Sequence, residues 1–426
     1  MSVTLEITTL THGGDGLGHL DGKAVFVSGT VPGDHVRCRL VVEKKRYAKG
    51  QLLEVLTPSP MRIKPPCNHF DDCGGCDWQQ LSYADQCNWK ERLFRENCLH
   101  QLSPDPAVIK PLLVSPQPLG YRSRVQFKCR TTSSGFKLGF YRRGSHTVVD
   151  LISCHVVDPK INILMPQLRQ LFDDSPYANQ IQQIDVAVGD SGSPRVIVHI
   201  NSGQVGNFCE WLAEHVDYLP VALFVRGDRC ARLQQIKGER DVYLEVDDPA
   251  IMLAYAPGGF AQINLQQNRV LVELVKRSAA VGVDDTVLDL YCGMGNFALP
   301  LAGLAKRVIG VEGYVPSIEL AKSNAAKNGI ENSAFYAESV EKFILSVQEQ
   351  VDVVILDPPR AGAKEAVLPL MKLQPRRIVY VSCDQHTLMR DLKVLLEGCY
   401  QLRSIQPIDM FPQTAHTEVL AVLDRV

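Results

Sequence analysis

The first 57 residues alternate apolar and polar positions in short runs that glycine-rich turns separate. The alternation predicts strands at 3–9, 23–27, 35–42 and 46–56. The turns His12-Gly13-Gly14-Asp15-Gly16 and Pro32-Gly33-Asp34 hold residue types that tolerate unusual backbone dihedrals. The pattern predicts a small OB-like β-barrel, an architecture that often binds single-stranded nucleic acid, and Pro58-Ser59-Pro60 ends it as a linker.

The pattern between residues 59 and 255 is less regular. A cysteine-containing loop comes first, and a polar helix is predicted from about 83 to 101. Strand-like runs follow at 124–130, 137–142, 184–188 and 195–200. These elements predict an α+β domain that carries the cysteine loop and is built on an antiparallel sheet.

From residue 256 onward, buried-type strands alternate with helices. Strands are predicted at 286–291, 307–311, 351–356, 376–382, 400–408 and 419–424, with helices such as 317–328 between the earlier ones. This alternation is typical of a doubly wound, Rossmann-like α/β domain. The predicted division of the chain is therefore 1–58, 59–255 and 256–426.

The net charge of −2 hides an asymmetry along the 426 residues. Residues 1–150 carry 20 Lys and Arg against 14 Asp and Glu, a balance of +6, and the remainder carries 25 against 33, a balance of −8. Basic residues cluster at 44–49, 122–130 and 142–143. This distribution favours an N-terminal part that binds a polyanion. The alternative is that the basic residues simply lie on solvent-exposed faces of strands. With no secretory leader pattern and no apolar run near the ~20 residues of a membrane span, we expect a cytoplasmic, monomeric protein without membrane contact.

The segment from Val287 to Phe297 reads as a strand, a Gly-x-Gly turn and a helix. Gly293 permits a tight turn, and Gly295 lets a ligand approach the backbone. Glu312 ends the next predicted strand, where an acid can bind ribose hydroxyls. Phe297-Ala298 stands where a dinucleotide site has a third glycine, and no P-loop lysine follows. The set favours a nucleoside cofactor without a pyrophosphate, namely S-adenosylmethionine.

Four further candidate residues lie next to predicted strands near the chain end. Asp357 opens Asp-Pro-Pro-Arg after one strand, and Cys383 ends the next. His416 and Glu418 lie just before the last predicted strand. A thiol nucleophile and a carboxylate base beside a cofactor loop form a set suited to covalent catalysis. Alternatively, Cys383 is a buried small hydrophobe and Asp357 merely begins a loop.

The 13 cysteines are an odd number without any secretory signal, so a disulfide framework is not expected. Three of them form Cys67-x5-Cys73-Gly74-Gly75-Cys76, and Cys154 is the fourth candidate ligand. Four thiolates predict a metal site, which spacing alone leaves open between zinc and a [4Fe–4S] cluster.

The sequence resembles the RNA uracil-C5 methyltransferases, specifically the bacterial 23S ribosomal RNA type with an N-terminal TRAM domain. The resemblance covers essentially the whole chain. Its motifs are the segments 289–297, 357–362, 381–383 and 416–418, with Phe260-Ala261-Gln262-Ile263-Asn264 and the cysteine loop.

The resemblance implies that the target is a uridine of 23S rRNA, methylated through a Cys–C6 adduct. Cys383 would be the nucleophile, and Glu418 would be the base. The residues implied to contact S-adenosylmethionine are Gln262, Tyr291, Asn296, Glu312 and Asp357. The four cysteines Cys67, Cys73, Cys76 and Cys154 would hold a [4Fe–4S] cluster. Phe260 is a candidate stacking surface for the target base or, alternatively, a core residue.

Two positions depart from the family pattern. Asp384-Gln385 replaces Asn-Pro after the cysteine, and the added charge is expected to raise the thiol pKa. Ser339 replaces an asparagine that contacts the cofactor. Four other readings stay open: a tRNA uridine-C5 methyltransferase, an amino-group methyltransferase, a cytosine-C5 methyltransferase, and an RNA-binding or ribosome-assembly factor with weak activity.

Overall fold

The N-terminal segment folds as a closed five-stranded barrel in the computed structural model, which describes residues 2–201, 203–227 and 233–426. Its strands are β1 Ser2–Leu10, β2 Gly16–Leu20, β3 Lys23–Val27, β4 His35–Glu43 and β5 Tyr47–Thr57, in the order β1-β2-β3-β5-β4. The predicted barrel is confirmed. Strand β2 escaped prediction because glycine disfavours strands in general. Here a Cβ on Gly18 would lie 2.3 Å from the Glu6 carbonyl oxygen, so the close strand pairing requires glycine.

The central segment forms a seven-stranded sheet in the order β12-β11-β10-β9-β6-β7-β8. Its elements are α1 Tyr83–Leu102, β6 Arg124–Thr132, β7 Gly135–Tyr141, β8 Val148–Asp150, α2 Pro159–Asp173, β9 Ile181–Ala187, β10 Arg195–Ile200, α3 Val205–His215, β11 Ala222–Gly227 and β12 Gln234–Lys237. One pair, β10 and β11, is parallel, so the sheet is mixed rather than wholly antiparallel. Helix α3 lies between these two strands in the chain, as a parallel connection requires.

The C-terminal segment is a doubly wound sheet in the order β17-β16-β15-β18-β19-β21-β20. A short hairpin, β13 Val242–Glu245 and β14 Met252–Tyr255, precedes it. Its own elements are α4 Leu265–Ala279, β15 Thr286–Leu290, α5 Ala298–Ala302, β16 Arg307–Glu312, α6 Val315–Lys327, β17 Ser333–Ala337, α7 Val340–Ser346, β18 Val353–Leu356, α8 Lys364–Leu373, β19 Arg377–Ser382, α9 Gln385–Glu397, β20 Tyr400–Ile408 and β21 Glu418–Arg425. The predicted fold class is therefore confirmed, and β17 is an additional edge strand.

Successive residues of one strand point to opposite faces of this sheet and pack into two different hydrophobic cores. Both faces of the sheet are therefore buried. On β15, Val287 packs with α4 to α6, whereas Leu288 packs with α7 to α9. Helix α1 joins the second core through Phe94 and Cys98. A helix of the predicted central domain thus packs on the C-terminal sheet, and the boundaries at 58 and 255 stay a prediction. None of the helices in the described ranges is long and apolar enough to cross a membrane.

Candidate active site

The carboxyl ends of β15, β16, β18 and β19 open into a cavity of about 950 Å³. Parallel sheets bind their ligands at this edge, because the strand ends leave a crevice between the loops that follow. The cavity brings together residues that lie far apart in the sequence. Those predicted for the site and found in its lining are Phe260, Gln262, Tyr291, Glu312, Asp357, Cys383, His416 and Glu418.

The Gly-x-Gly loop adopts the conformation that its glycines allow. Gly293 and Gly295 have φ angles of 55° and 95°, and Tyr291, with φ of 64°, shares this left-handed region. A Cβ on Gly295 would lie 2.9 Å from the Leu299 side chain, so this position cannot hold a larger residue without a shift. A Cβ on Gly293 would meet nothing within 4 Å. Gly293 lines the cavity, so its backbone is open to a ligand.

Glu312 stands at the end of β16, as the sequence predicts. Its carboxylate accepts the backbone N–H of Tyr314 at 2.8 Å, which fixes it at the cavity wall. Tyr314 and Ser317 also line the cavity and were not predicted. They lie at the beginning of helix α6, where only the fold brings them near the Gly-x-Gly loop.

Asn296 differs from the other predicted cofactor residues. Its side-chain amide exchanges two hydrogen bonds with the Asn268 amide, at 2.8 and 3.1 Å. It is not part of the cavity lining. Ser339, the second departure from the family pattern, caps helix α7 by accepting the Lys342 N–H. Neither side chain faces the cavity in this structure.

Two buried carboxylates, Asp357 and Glu418, line the cavity and lie close enough for their charges to interact. Burial raises the pKa of Asp357 to about 7. Burial, followed by repulsion from Asp357, raises the pKa of Glu418 well above its usual value. Two buried like charges resist joint ionisation, so the pair retains a proton to a higher pH than free carboxylates do.

Cys383 follows the last residue of β19 and is half-buried. Burial raises the pKa of its thiol to about 11, with further repulsion from Glu418 and Asp357 and partial relief from Arg360. The expectation that Asp384 raises this pKa finds no support, since Asp384 is not among the causes. The Asp384 carboxylate instead caps helix α9 by accepting the N–H groups of His386 and Thr387, at 3.0 and 2.9 Å.

The loop between β20 and β21 carries His416, and side chains of helix α1 hold this loop by an ion pair and hydrogen bonds. The Lys90 ammonium, fully buried, donates to the Asp409 carboxylate at 2.6 Å and to the Phe411 carbonyl at 3.1 Å. The Tyr83 hydroxyl donates to the other Asp409 oxygen at 3.0 Å. The sequence did not reveal this clamp, because its members lie more than 300 residues apart.

The barrel also reaches this loop. The Trp78 indole donates to the Gly14 carbonyl at 3.0 Å, and Asp77 donates its backbone N–H to the Gln413 carbonyl at 2.9 Å. The rings of His12 and His386 stand 6.1 Å apart, edge to face. A glycine-rich turn of the barrel thus lies beside the helix that follows Cys383.

The four cysteines Cys67, Cys73, Cys76 and Cys154 line one narrow cavity between the loop and the central sheet. Arg122 lines both this cavity and the catalytic one. As the side chains are placed, no group of three or more His, Cys, Asp or Glu residues in the described part of the chain could hold a metal ion. The structure brings the predicted ligands together and does not by itself show a metal centre.

Comparisons with known proteins agree with this geometry. The sequence profile of the tRNA (uracil-5-)-methyltransferase family matches residues 90–426, and that of the TRAM domain matches residues 2–53. The chain belongs to the RNA uracil-C5 methyltransferases. It is therefore an S-adenosylmethionine-dependent enzyme that acts on RNA, and the TRAM match agrees with the five-stranded barrel.

Several relatives of this methyltransferase extend along the whole chain. An uncharacterized RNA methyltransferase of Thermosynechococcus vestitus is 36% identical and covers 99% of this chain and 98% of its own. The 23S rRNA (uracil(1939)-C(5))-methyltransferase RlmD of Vibrio parahaemolyticus is 32% identical, over 99% and 95%. A solved structure, the tRNA (uracil-54, C5)-methyltransferase of Pyrococcus abyssi in complex with S-adenosyl-L-homocysteine, has a TM-score of 0.76 at 24% identity, covering 99% and 100%. This last likeness concerns the fold.

Proposed function

We propose that this enzyme methylates C5 of a uridine in 23S rRNA through a transient bond between Cys383 and C6 of the base. The observation that carries the proposal is the convergence of Cys383, Glu418, Asp357 and Gln262 in one cavity. The choice of 23S rRNA follows the relatives named RlmD, several of which are 32–34% identical over 99% of the chain.

The thiol must first lose its proton. The sulfur of Cys383 then adds to C6, and this addition makes C5 an enolate-like carbon that can accept a methyl group. Bound S-adenosylmethionine would supply that methyl group, with its S–CH₃ bond breaking to leave S-adenosylhomocysteine. Glu418 takes the remaining proton from C5, the S–C6 bond breaks, and the double bond of the uracil is restored.

The surroundings of these groups suit their roles. In its ionised form, a carboxylate with a raised pKa is a stronger base than a free one, so ionised Glu418 is able to take a weakly acidic carbon-bound proton. Gln262 lines the cavity and is only 8% exposed. We propose that its side-chain amide forms hydrogen bonds with the edge of the uracil. We assign Tyr291, Glu312 and Asp357 to the cofactor side of the cavity. Asn296 would reach the cofactor only if its pair with Asn268 opened.

Phe260 is 68% exposed and stands in the cavity lining, so the alternative of a core residue does not hold. The target base must leave its stack before C6 can meet the sulfur, at a cost of a few kcal/mol. An exposed ring in the cavity lining can replace part of the lost stacking. We propose that Phe260 stacks on RNA bases beside the target.

We further propose that the four cysteines hold a [4Fe–4S] cluster with a structural role. Two observations support this proposal: the four cysteines line one cavity, and the Gln79 amide donates to the sulfur of Cys76 at 3.2 Å. Burial raises the pKa of Cys76 to about 12, so a bound cation is needed to keep its thiolate form. Because Cys154 follows β8, the cluster would tie the loop to this edge of the central sheet, and the Gly74 N–H already joins the loop to β7 by donating to the Tyr141 carbonyl at 3.0 Å.

Labelled S-adenosylmethionine and unmodified RNA transcripts test the function. We expect transfer to 23S rRNA, mapping to one or two uridines as 5-methyluridine, and none by Cys383→Ala. Transfer to tRNA alone would replace the proposed substrate with the alternative. RNA binding without any transfer would indicate an assembly factor.

Anaerobic protein should contain iron and acid-labile sulfide, whereas stoichiometric zinc would overturn the cluster proposal.

A further inference from the structure

A second cavity, of about 270 Å³, opens on the polar face of the central sheet. Side chains alternate between faces along each strand, so Val125 on β6 and Val196 on β10 enter the core on the other side. Arg124, Arg195 and Arg226, from β6, β10 and β11, line the cavity on the polar face. In the register of β10 with β11, Arg226 stands opposite His199, which also lines it.

Two of these arginines are fixed by the protein. Arg195 is 2% exposed, donates to the Tyr255 carbonyl at 2.6 Å and stacks over the Tyr255 ring at 4.4 Å. Arg124 donates to the Gly259 carbonyl at 3.2 Å and lies 5.8 Å from the same ring. Both side chains are therefore held at the cavity wall with little freedom to turn away.

Arg226, unlike these two arginines, has a buried donor without a partner in the described part of the chain. Its Nε is buried and finds no hydrogen-bond partner among the residues that the structure describes. One carboxylate, Asp185, is present in the lining described for this cavity, and it already accepts from Gln183 at 2.6 Å and lies 3.1 Å from His199 Nε2. Three guanidinium groups face Asp185 in the lining and Asp241, whose charge acts on Arg195 from outside the lining, so the cavity stays positive by one charge and keeps an unused donor. A buried donor without a partner costs stability unless a ligand satisfies it.

This cavity adjoins the catalytic one at a single turn. Gly258 lines both, with φ of 85°, and a Cβ there would lie 3.4 Å from Nη2 of Arg226. Phe260, two residues later, is already in the catalytic cavity. An RNA strand that delivers one base to Cys383 would pass this turn with its sugar–phosphate chain. A guanidinium fork matches a phosphate in shape and charge.

We propose that the cavity of Arg124, Arg195 and Arg226 binds a backbone phosphate of the substrate RNA, one or two nucleotides from the target uridine. Arg226 donates to the phosphate, and the other two arginines supply positive charge. The proposal rests on the proposed function, because it assumes that an RNA strand enters the catalytic cavity. It adds a contact that positions the strand without reading its sequence.

The salt dependence of RNA binding tests the site. Fluorescence anisotropy with a single-stranded oligouridine, between 50 and 200 mM KCl, gives the slope of log affinity against log salt. For a single strand each neutralised phosphate contributes about 0.7 to that slope. Arg226→Gln should flatten the slope by about 0.7 and raise KM for 23S rRNA by about tenfold, with kcat and S-adenosylmethionine affinity unchanged. The matched control is Arg277→Gln, an exposed arginine of α4 paired with Glu273, and it should change neither.

A second variant keeps the test decisive if Arg226→Gln fails to fold. Gln126→Glu places a negative charge in the same lining from an exposed strand position, and it should weaken RNA binding. Wild-type slopes and KM values in both variants would overturn the proposal. If the wild-type enzyme bound RNA but methylated no 23S rRNA, the proposed function would fail, while the slope comparison would still decide for or against the phosphate site.

Discussion

Replacing Glu418 with Gln should change two reactivities of this enzyme in opposite directions. The substitution removes a base that the methyl transfer requires, so turnover should fall by about 10²- to 10⁴-fold. It also removes a carboxylate beside Cys383 whose charge, once the group is ionised, is one of the causes of the raised thiol pKa. Alkylation of the thiol should therefore become faster while catalysis is lost.

The magnitude follows from the thiolate population. A thiol at its ordinary pKa of 9.0 is about 10% ionised at pH 8, whereas one with a pKa of about 11 is about 0.1% ionised. Burial accounts for the largest part of this roughly hundredfold loss and stays in the variant. Because Asp357 also remains, we expect Glu418→Gln to speed alkylation of Cys383 by roughly three- to tenfold at the pH values where Glu418 of the wild-type enzyme is ionised, and by less at lower pH, where it is protonated.

Iodoacetamide labelling under anaerobic conditions, with mass spectrometry of the peptide that contains Cys383, measures this rate from pH 7 to 10. Glu397→Gln is the control, since that exposed carboxylate ends the helix that follows the thiol. The control variant should leave both the methyl-transfer rate and the alkylation rate of Cys383 unchanged. Unaltered or slower alkylation in a folded Glu418→Gln protein would refute the electrostatic account of the site.

The remaining predictions concern the clamp, the exposed ring and the cysteine cavity. Lys90→Met leaves Asp409 as a buried, uncompensated charge and should cost about 3–5 kcal/mol in urea unfolding, whereas Arg92→Met, in an exposed pair on the same helix, should cost less than about 1. Phe260→Ala should leave the melting temperature unchanged and lower kcat/KM for RNA by about 5- to 150-fold, as loss of 1–3 kcal/mol of stacking requires; a drop in melting temperature would indicate a packing role. Cys76→Ser should remove the iron and lower thermal stability, and full metal content in that variant would exclude Cys76 as a ligand.

Much of this architecture could be predicted because its signals are local. The barrel turns, the Gly-x-Gly loop and the β-branched strands each specify their own backbone, and parallel strands bring their ends to one edge. Thus Asp357 and Cys383 could be placed together from the sequence. The parallel pairing of β10 with β11 could not, since it depends on the crossover through α3.

Contacts between distant segments are the part that escaped prediction. The buried pair of Lys90 with Asp409 joins a helix of the central segment to the loop before Glu418. The arginine cavity likewise exists only once β6, β10 and β11 align. Asn296 shows the opposite case: a motif residue occupies the expected position, and its side chain pairs with Asn268 instead of facing the cavity.

Trapping with 5-fluorouridine in the substrate RNA tests the covalent role of Cys383 most directly. Fluorine at C5 leaves no proton for Glu418 to remove, so the bond between sulfur and C6 should persist after methyl transfer. We predict a one-to-one complex that survives denaturation, with the nucleotide on the Cys383 peptide, and none in Cys383→Ala. Active enzyme that methylates the natural RNA yet forms no such adduct, or forms it on another cysteine, would contradict the account.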